Sequence, residues 1–228
     1  MYSEDLKELY SREILPDGKE SLDIIAKLID PTSKILDLGI GSGALGRFVY
    51  KNQGCIDGVE IDQLSVSKNK SYYRKLILGD LTNLDLRKVF KGQKYDYVIC
   101  ADVLEHLQQP KLILQQLTKF LKKDGRLIIS VPNIGYAGVI ASMINGRFCY
   151  GEEGILDKTH LKFFTRVELY ELLVRSGFKV FNAVDIEKDL RDTEFREFLE
   201  SITEEQKELL VLKHCDSLTY QFVVECVP

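Results

Sequence analysis

Several things are scarce in this 228-residue chain, and each scarcity closes a route. Its five cysteines, Cys55, Cys100, Cys149, Cys215 and Cys226, are odd in number and widely spaced. With no C-x-x-C pair they suggest neither a zinc site nor a redox dithiol, so the reading is reduced structural thiols and no metal. There is no excess of one charge either: 31 basic against 35 acidic residues leave a net charge of -4. Such a chain has no global field to collect nucleic acid, and RNA or DNA is not an expected partner. The mixed run Lys68-Asn69-Lys70-Ser71-Tyr72-Tyr73-Arg74-Lys75 reads as a solvated helix face. The longest apolar stretch, about Ile134 to Ile144, is too short to span a bilayer, so no transmembrane segment is expected. The start, Met1 to Lys7, lacks the apolar core of a signal peptide, which together with the thiols places the protein in the cytoplasm. Repeats and low-complexity linkers are absent, and only three histidines occur: His106, His160 and His214.

What is present is concentrated near the start. Ile35-Leu36-Asp37-Leu38-Gly39-Ile40-Gly41-Ser42-Gly43-Ala44-Leu45-Gly46 is an apolar run that carries an acid, opens into alternating glycines and passes into a helix. Glycines at alternate positions let the chain turn off a strand and bring N–H groups against a ligand. A second apolar run ends in Glu60-Ile61-Asp62, where a carboxylate could accept from both hydroxyls of a ribose. Two cofactors fit this pattern. Gly41, Gly43 and Gly46 match the G-x-G-x-x-G dinucleotide fingerprint, which would make the chain an NAD-dependent oxidoreductase. Asp37, Gly39, Gly41 and Gly43 equally match the D-x-G-x-G-x-G loop of S-adenosylmethionine (SAM) enzymes. Asp37 discriminates, because it would repel a pyrophosphate and attract the ammonium of a methionine.

Further acids follow in order. Leu76-Ile77-Leu78-Gly79-Asp80-Leu81 reads as a third strand whose acid could accept from an adenine amino group. Tyr95 to Ala101 reads as a fourth strand running into the polar loop Asp102-Val103-Leu104-Glu105-His106. A helix is predicted over about 109–123, ended by Asp124-Gly125, and Arg126 to Asn133 forms a fifth strand. With these signals the sequence resembles the class I SAM-dependent methyltransferases from about Ser33 to Lys179. The segments Pro132-Asn133-Ile134-Gly135-Tyr136, Asn145-Gly146-Arg147-Phe148 and Gly154 to Thr165 resemble a bacterial branch similar to the ubiquinone-biosynthesis O-methyltransferases and to methyltransferases found beside, or fused to, glycosyltransferases. The chain departs from that pattern at Ile40, where cysteine is frequent, and at Lys123-Asp124-Gly125, which replaces a Pro-Gly-Gly turn.

The resemblance implies SAM as cofactor, S-adenosylhomocysteine as product, and methyl transfer to a small polar or lipid-linked acceptor, with a sugar or phenol-like hydroxyl favoured. Asp37, Gly39, Gly41 and Gly43 would hold the methionine portion, Glu60 with Ile61 the ribose, Asp80 and Leu81 the adenine, while Ala101 and Asp102 line the methyl end. His160 is the first choice for a base or acceptor-positioning group. His106, beside Glu105, is either a second catalytic group or a residue locked in the loop after strand four, and His214 reads as a surface residue. A catalytically silent SAM-binding protein remains the alternative outside enzymes.

Alternation of strands and helices predicts one α/β domain over 1–228. The expected architecture is a Rossmann-like doubly wound sheet of seven strands, mostly parallel with an antiparallel last strand, and helices on both faces. Residues 3–30 read as one or two helices, with Leu22, Ile25, Leu28 and Ile29 at helical spacing. Capping boxes at Thr165-Arg166-Val167-Glu168 and Thr203-Glu204-Glu205-Gln206 mark helix starts, and Gly177 suits a helix end. Two segments exceed the bare fold, about 135–164 and 187–214. The first gathers Tyr136, Arg147, Tyr150, His160 and Lys162 and is the candidate acceptor pocket; the second is acceptor pocket, packing helix or homodimer helix.

Overall fold

The computed structural model describes residues 13–199, 202–212 and 215–228. Residues 1–12, which carry the start of the expected N-terminal helices, and His214 lie outside the described residues. Seven strands form one sheet: β1 (Lys34–Leu38), β2 (Cys55–Glu60), β3 (Lys75–Leu78), β4 (Tyr95–Ala101), β5 (Leu121–Pro132), β6 (Lys179–Glu187) and β7 (Thr219–Val227). Their order is β3-β2-β1-β4-β5-β7-β6. The first five pair in parallel, whereas β7 runs antiparallel to both β5 and β6. The expected seven-stranded sheet with an antiparallel last strand is therefore present.

The central strands are apolar on both faces because both are covered, as a parallel sheet requires. Side chains alternate along each strand, so Leu36, Leu38, Val98, Cys100, Leu127 and Ile129 enter one core while Ile35, Ile99 and Ile128 enter the other. Helices α1 (Ser21–Leu28) and α2 (Ala44–Lys51) cover the second face through Ile25, Leu45 and Val49. On the first face α5 (Pro110–Leu117) contributes Ile113, Leu114 and Leu117, and α7 (Arg166–Arg175) contributes Leu169 and Leu173. Between them in the chain come α3 (Gln63–Asn69), α4 (Leu86–Val89) and α6 (Ala137–Ile144). Thr165 and Glu168 cap α7 reciprocally, and Gly177 follows it with φ +92°, as the capping box and the glycine implied.

Two boundaries differ from expectation. The helix predicted to reach residue 123 stops at Leu117, because Leu121 already pairs with Tyr95 on β4, and Lys122 to Gly125 are extra residues in that ladder. The third strand stops at Leu78, and Gly79 and Asp80 turn away to the cavity described below.

The two insertions pack on each other. Tyr136, Val139, Ile155 and Leu156 from the first meet Phe195 from the second in a satellite core, which Ala141 and Ile202 extend. The second insertion holds α8 (Arg196–Leu199) and α9 (Glu204–Leu212), the latter opened by reciprocal bonds between Thr203 and Gln206. Strand order reverses between β1 and β4, and in sheets of this kind ligands bind at that reversal, beyond the carboxyl ends of the strands.

Candidate active site

Beyond β1 the chain turns through Gly39, Gly41 and Gly43, all at positive φ. Gly41 is the one that faces space: a Cβ there would meet nothing within 4 Å. Gly43 has a different task. It caps α2, and a Cβ on it would collide with Asn69 Oδ1, so its bare Cα lets α3 close against the loop.

The acids that ended each apolar run line up along the sheet edge. Asp37 is buried and accepts from Tyr73 Oη at 2.8 Å. Burial pushes its carboxyl up to about 7, against the hydrogen bond from Tyr73, with the Glu60 charge adding to the rise. Glu60 is held by the backbone: Oε2 accepts from Gly41 N at 2.9 Å, and Oε1 accepts from Ile61 N at 2.8 Å and Asp62 N at 2.9 Å. Asp80 accepts from Thr82 N and Asn83 Nδ2, both at 2.8 Å, and the Thr82 contact holds its carboxyl below the usual range.

A cavity of about 400 Å³ runs along this edge, lined among others by Asp37, Gly39, Gly41, Glu60, Asp80 and Asp102. Nine of the ten residues assigned to the cofactor from sequence face it: these six with Ile61, Leu81 and Ala101. The tenth, Gly43, lies behind the loop in the contact with Asn69. Its size, its mostly apolar lining and its few directed polar groups suit a nucleoside-sized ligand. The open space before Gly41 and the spaced acids Asp37, Glu60 and Asp80 fit SAM, whose ammonium, ribose and adenine all present donors.

A second cavity of about 730 Å³ adjoins the first and shares Asp102 and His106 with it. It is framed by both insertions, with His160 and Asp157 from one side and Lys188 and Glu194 from the other. Of the five residues that singled out the first insertion, only His160 lines it. Tyr136 is a core residue donating to Lys188 O at 2.9 Å, whereas Arg147, Tyr150 and Lys162 are exposed outside both cavities.

Where the cavities meet, Asp102 has φ +54°, rare and strained for a residue with a side chain. Its carboxylate is fixed by three donors: Ser130 Oγ at 2.8 Å, Ser21 Oγ at 3.2 Å and Gln221 Nε2. The histidines stand beside it with ring centroids 4.9 Å apart. His160 Nδ1 lies 3.0 Å from Ile155 O. A carbonyl only accepts, so this nitrogen carries the proton and Nε2 keeps a lone pair. His106 Nδ1 faces Thr159 O at 3.3 Å and Thr159 Oγ1 at 3.2 Å. The Thr159 hydroxyl already donates to Asp157 Oδ1 at 2.7 Å, so it too accepts from His106. Burial lowers the imidazole pKa of His160, which keeps the ring neutral at physiological pH.

Sequence reasoning passed over Glu105, Tyr73, Ser130 and Gln221. Glu105 was visible only as the neighbour of His106, and the others lie on distant segments that the sheet brings together.

Residues 4–183 match a family described as a methyltransferase domain. The ubiquinone biosynthesis O-methyltransferase of Coxiella burnetii (strain Dugway 5J108-111) is 23% identical over 119 residues, covering 51% of this chain and 50% of that protein. That of Glaesserella parasuis serovar 5 (strain SH0165) is 31% identical over 107 residues, 44% of this chain and 45% of the other. The chain spans about half the length of these curated relatives. In fold it is similar to the magnesium protoporphyrin IX methyltransferase of Synechocystis PCC 6803 with bound SAH, at TM-score 0.63 and 16% identity over 97% of this chain and 92% of that one. With a family match over most of its length, and the glycine loop and strand-end acids on one cavity, the chain belongs to the class I SAM-dependent methyltransferases.

Proposed function

We propose that the protein methylates a hydroxyl of a small, hydroxyl-rich acceptor held in the second cavity. The observation that carries this reading is the junction at Asp102 and His106, where a cavity suited to the cofactor opens into one suited to an acceptor. SAM supplies a methyl group already activated on a sulfonium, so the protein's work is alignment and exclusion of water. Asp37, Glu60 and Asp80 take the ammonium, ribose and adenine. Asp102, fixed by its three donors, lines the passage between the cavities, and the neutral His160 offers Nε2 as base or holder for the acceptor hydroxyl.

The second cavity argues for the acceptor's chemistry. Glu20, Glu105, Glu153, Asp157, Asp192 and Glu194 line it beside Asp102, against Lys188 as the one lysine among the described lining residues. Carboxylates accept from hydroxyl groups and repel phosphate, so a neutral polyol such as a sugar fits better than a phosphorylated acceptor. A phenolic hydroxyl is the second reading, favoured by the ubiquinone O-methyltransferase relatives.

The test supplies methyl-labelled SAM with a panel of neutral sugars and a panel of phenols, and titrates SAM and NAD by calorimetry. Transfer to a sugar hydroxyl supports the reading, and transfer to phenols alone selects the second. SAM binding with no transfer to any hydroxyl or metabolite extract would identify a silent SAM-binding protein, and tighter NAD binding would overturn the cofactor.

A further inference from the structure

At the meeting of the two cavities, one ligand atom each from Glu105, His106 and His160 lies within 4.8 Å of the others. Convergence alone does not make a site, but the state of Glu105 adds an independent observation. Its side chain is 1% exposed, and neither carboxylate oxygen has a hydrogen-bond partner among the described residues. Buried carboxylates are ordinarily paired, hydrogen-bonded or bound to metal, and this one has neither of the first two.

The backbone holds the arrangement together. Glu105 O accepts from Leu161 N at 2.7 Å and from Lys162 N at 2.9 Å, which ties the turn after β4 to the segment carrying His160. Both imidazoles have Nδ1 committed to oxygen acceptors, and this leaves Nε2 lone pairs for a ligand. A metal-binding histidine is oriented in the same way, by a hydrogen bond on its other nitrogen. Asp102 and Asp157 line the same cavity as Glu105 and add negative charge around it. A cation would give the Glu105 oxygens the partner they lack.

We propose that Glu105, His106 and His160 bind one divalent first-row cation, of the class of Mn²⁺ or Zn²⁺, at the junction of the cofactor and acceptor cavities. Two imidazole nitrogens and one carboxylate are borderline donors; they suit these ions better than Ca²⁺ or Mg²⁺, which favour oxygen alone. Three protein ligands leave coordination positions open, and the acceptor hydroxyl takes one; with the cation bound, His160 Nε2 holds the hydroxyl through the cation instead of taking its proton. The cation polarises the hydroxyl: its O–H bond breaks with the proton leaving to solvent, oxygen forms the bond to the methyl carbon, and the methyl–sulfur pair stays on sulfur. The cation changes no oxidation state. This role rests on the methyl-transfer reading, whereas the cation site itself does not.

The test uses the full chain stripped with EDTA and dialysed. MnCl₂ is titrated with free Mn²⁺ followed by electron paramagnetic resonance, a probe that avoids competition from exposed thiols, and SAM affinity is measured on the same samples. One Mn²⁺ per chain is expected, weakened at least about tenfold in Glu105→Gln and His160→Ala with SAM affinity unchanged. His106→Gln, at an exposed residue, serves if Glu105→Gln does not fold. Absence of saturable Mn²⁺ binding to the wild-type chain at millimolar concentration overturns the proposal, as does equal binding by wild type and folded variants. A chain that binds Mn²⁺ through these residues but not SAM would support the cation site and overturn the methyl-transfer reading.

Discussion

Replacing Glu60 by alanine removes a carboxylate that holds the glycine loop and, in the proposed function, the ribose. A carboxylate offers about four lone-pair positions. Three are already taken by Gly41 N, Ile61 N and Asp62 N at 2.8–2.9 Å. One position is left for a ribose hydroxyl, so a single charge-assisted hydrogen bond, worth about 1.5–3 kcal/mol, is the direct loss. At about 1.4 kcal/mol per decade this weakens SAM binding roughly 10- to 150-fold. The alanine also takes away the acceptor of three backbone N–H groups, but Gly41 and Ile61 border a cavity that water can enter, so the fold should survive with a lower melting temperature. Glu60→Gln keeps the volume and replaces one acceptor by an NH₂, which must face a backbone N–H. It should therefore weaken binding as well. Calorimetric titration of SAM into both variants, with melting curves alongside, provides the measurement. A folded Glu60→Ala variant within about twofold of wild-type affinity, against the decade expected, would refute the ribose role and leave Glu60 as a clamp on the glycine loop.

Gly41→Val should abolish SAM binding, because it places a branched side chain in the cavity at φ +52°, where such residues are strained; unchanged affinity would show that the ligand does not approach Gly41. Asp37 gives a pH dependence. Its folded pKa of about 7 stands above the ordinary carboxylate value of 3.8, so between those values the native state binds more protons than the unfolded state. Stability of the ligand-free protein should then fall as pH rises from about 4 to about 7, and Asp37→Asn should flatten that slope in pH-dependent chemical denaturation; a rising slope would reject the assignment. SAM affinity should rise over the same window, since the ammonium is attracted to the ionised form; calorimetry showing no pH dependence would dismiss the pairing. His160→Ala should lower turnover about 10²–10⁴-fold with SAM affinity almost unchanged. If it lowers the melting temperature while turnover per folded molecule stays intact, His160 only fastens the insertion.

The lining of the first cavity was legible because a parallel sheet imposes its own order on the sequence. Each strand ends on the same edge, so an acid at the end of each apolar run must arrive near the acids of its neighbours. Asp37, Glu60 and Asp80 could thus be placed from one-dimensional spacing. Gly43 shows the limit of that logic: it satisfies the glycine pattern, yet its missing side chain makes room for Asn69 rather than for a ligand. The end of α5 was misjudged for a similar reason. Nothing local says that Leu121 pairs with Tyr95 while the four residues after it stand outside the ladder.

The second cavity follows no such periodic rule, because it is assembled from segments that meet only through tertiary packing. Two insertions far apart in the chain share a satellite core, and that contact, with hydrogen bonds from Tyr136 Oη to Lys188 O and from Ile155 N to Glu194 Oε1, brings Lys188 and Glu194 across from His160. Glu105 and His160 meet because two backbone amides of the first insertion bond to the Glu105 carbonyl, an interaction invisible in residue types. Asp102 lines both cavities. A left-handed backbone at a residue with a side chain is costly, on the order of 1–3 kcal/mol, and persists only where the surroundings enforce it. Here they do: Asp102 N donates to Ser130 O, while Ser21, Ser130 and Gln221 fix its carboxylate between the cavities. Glycine would relieve the backbone at this point but would take away the carboxylate that lines both cavities. The strain is thus localised at one of the two residues, Asp102 and His106, that line both cavities.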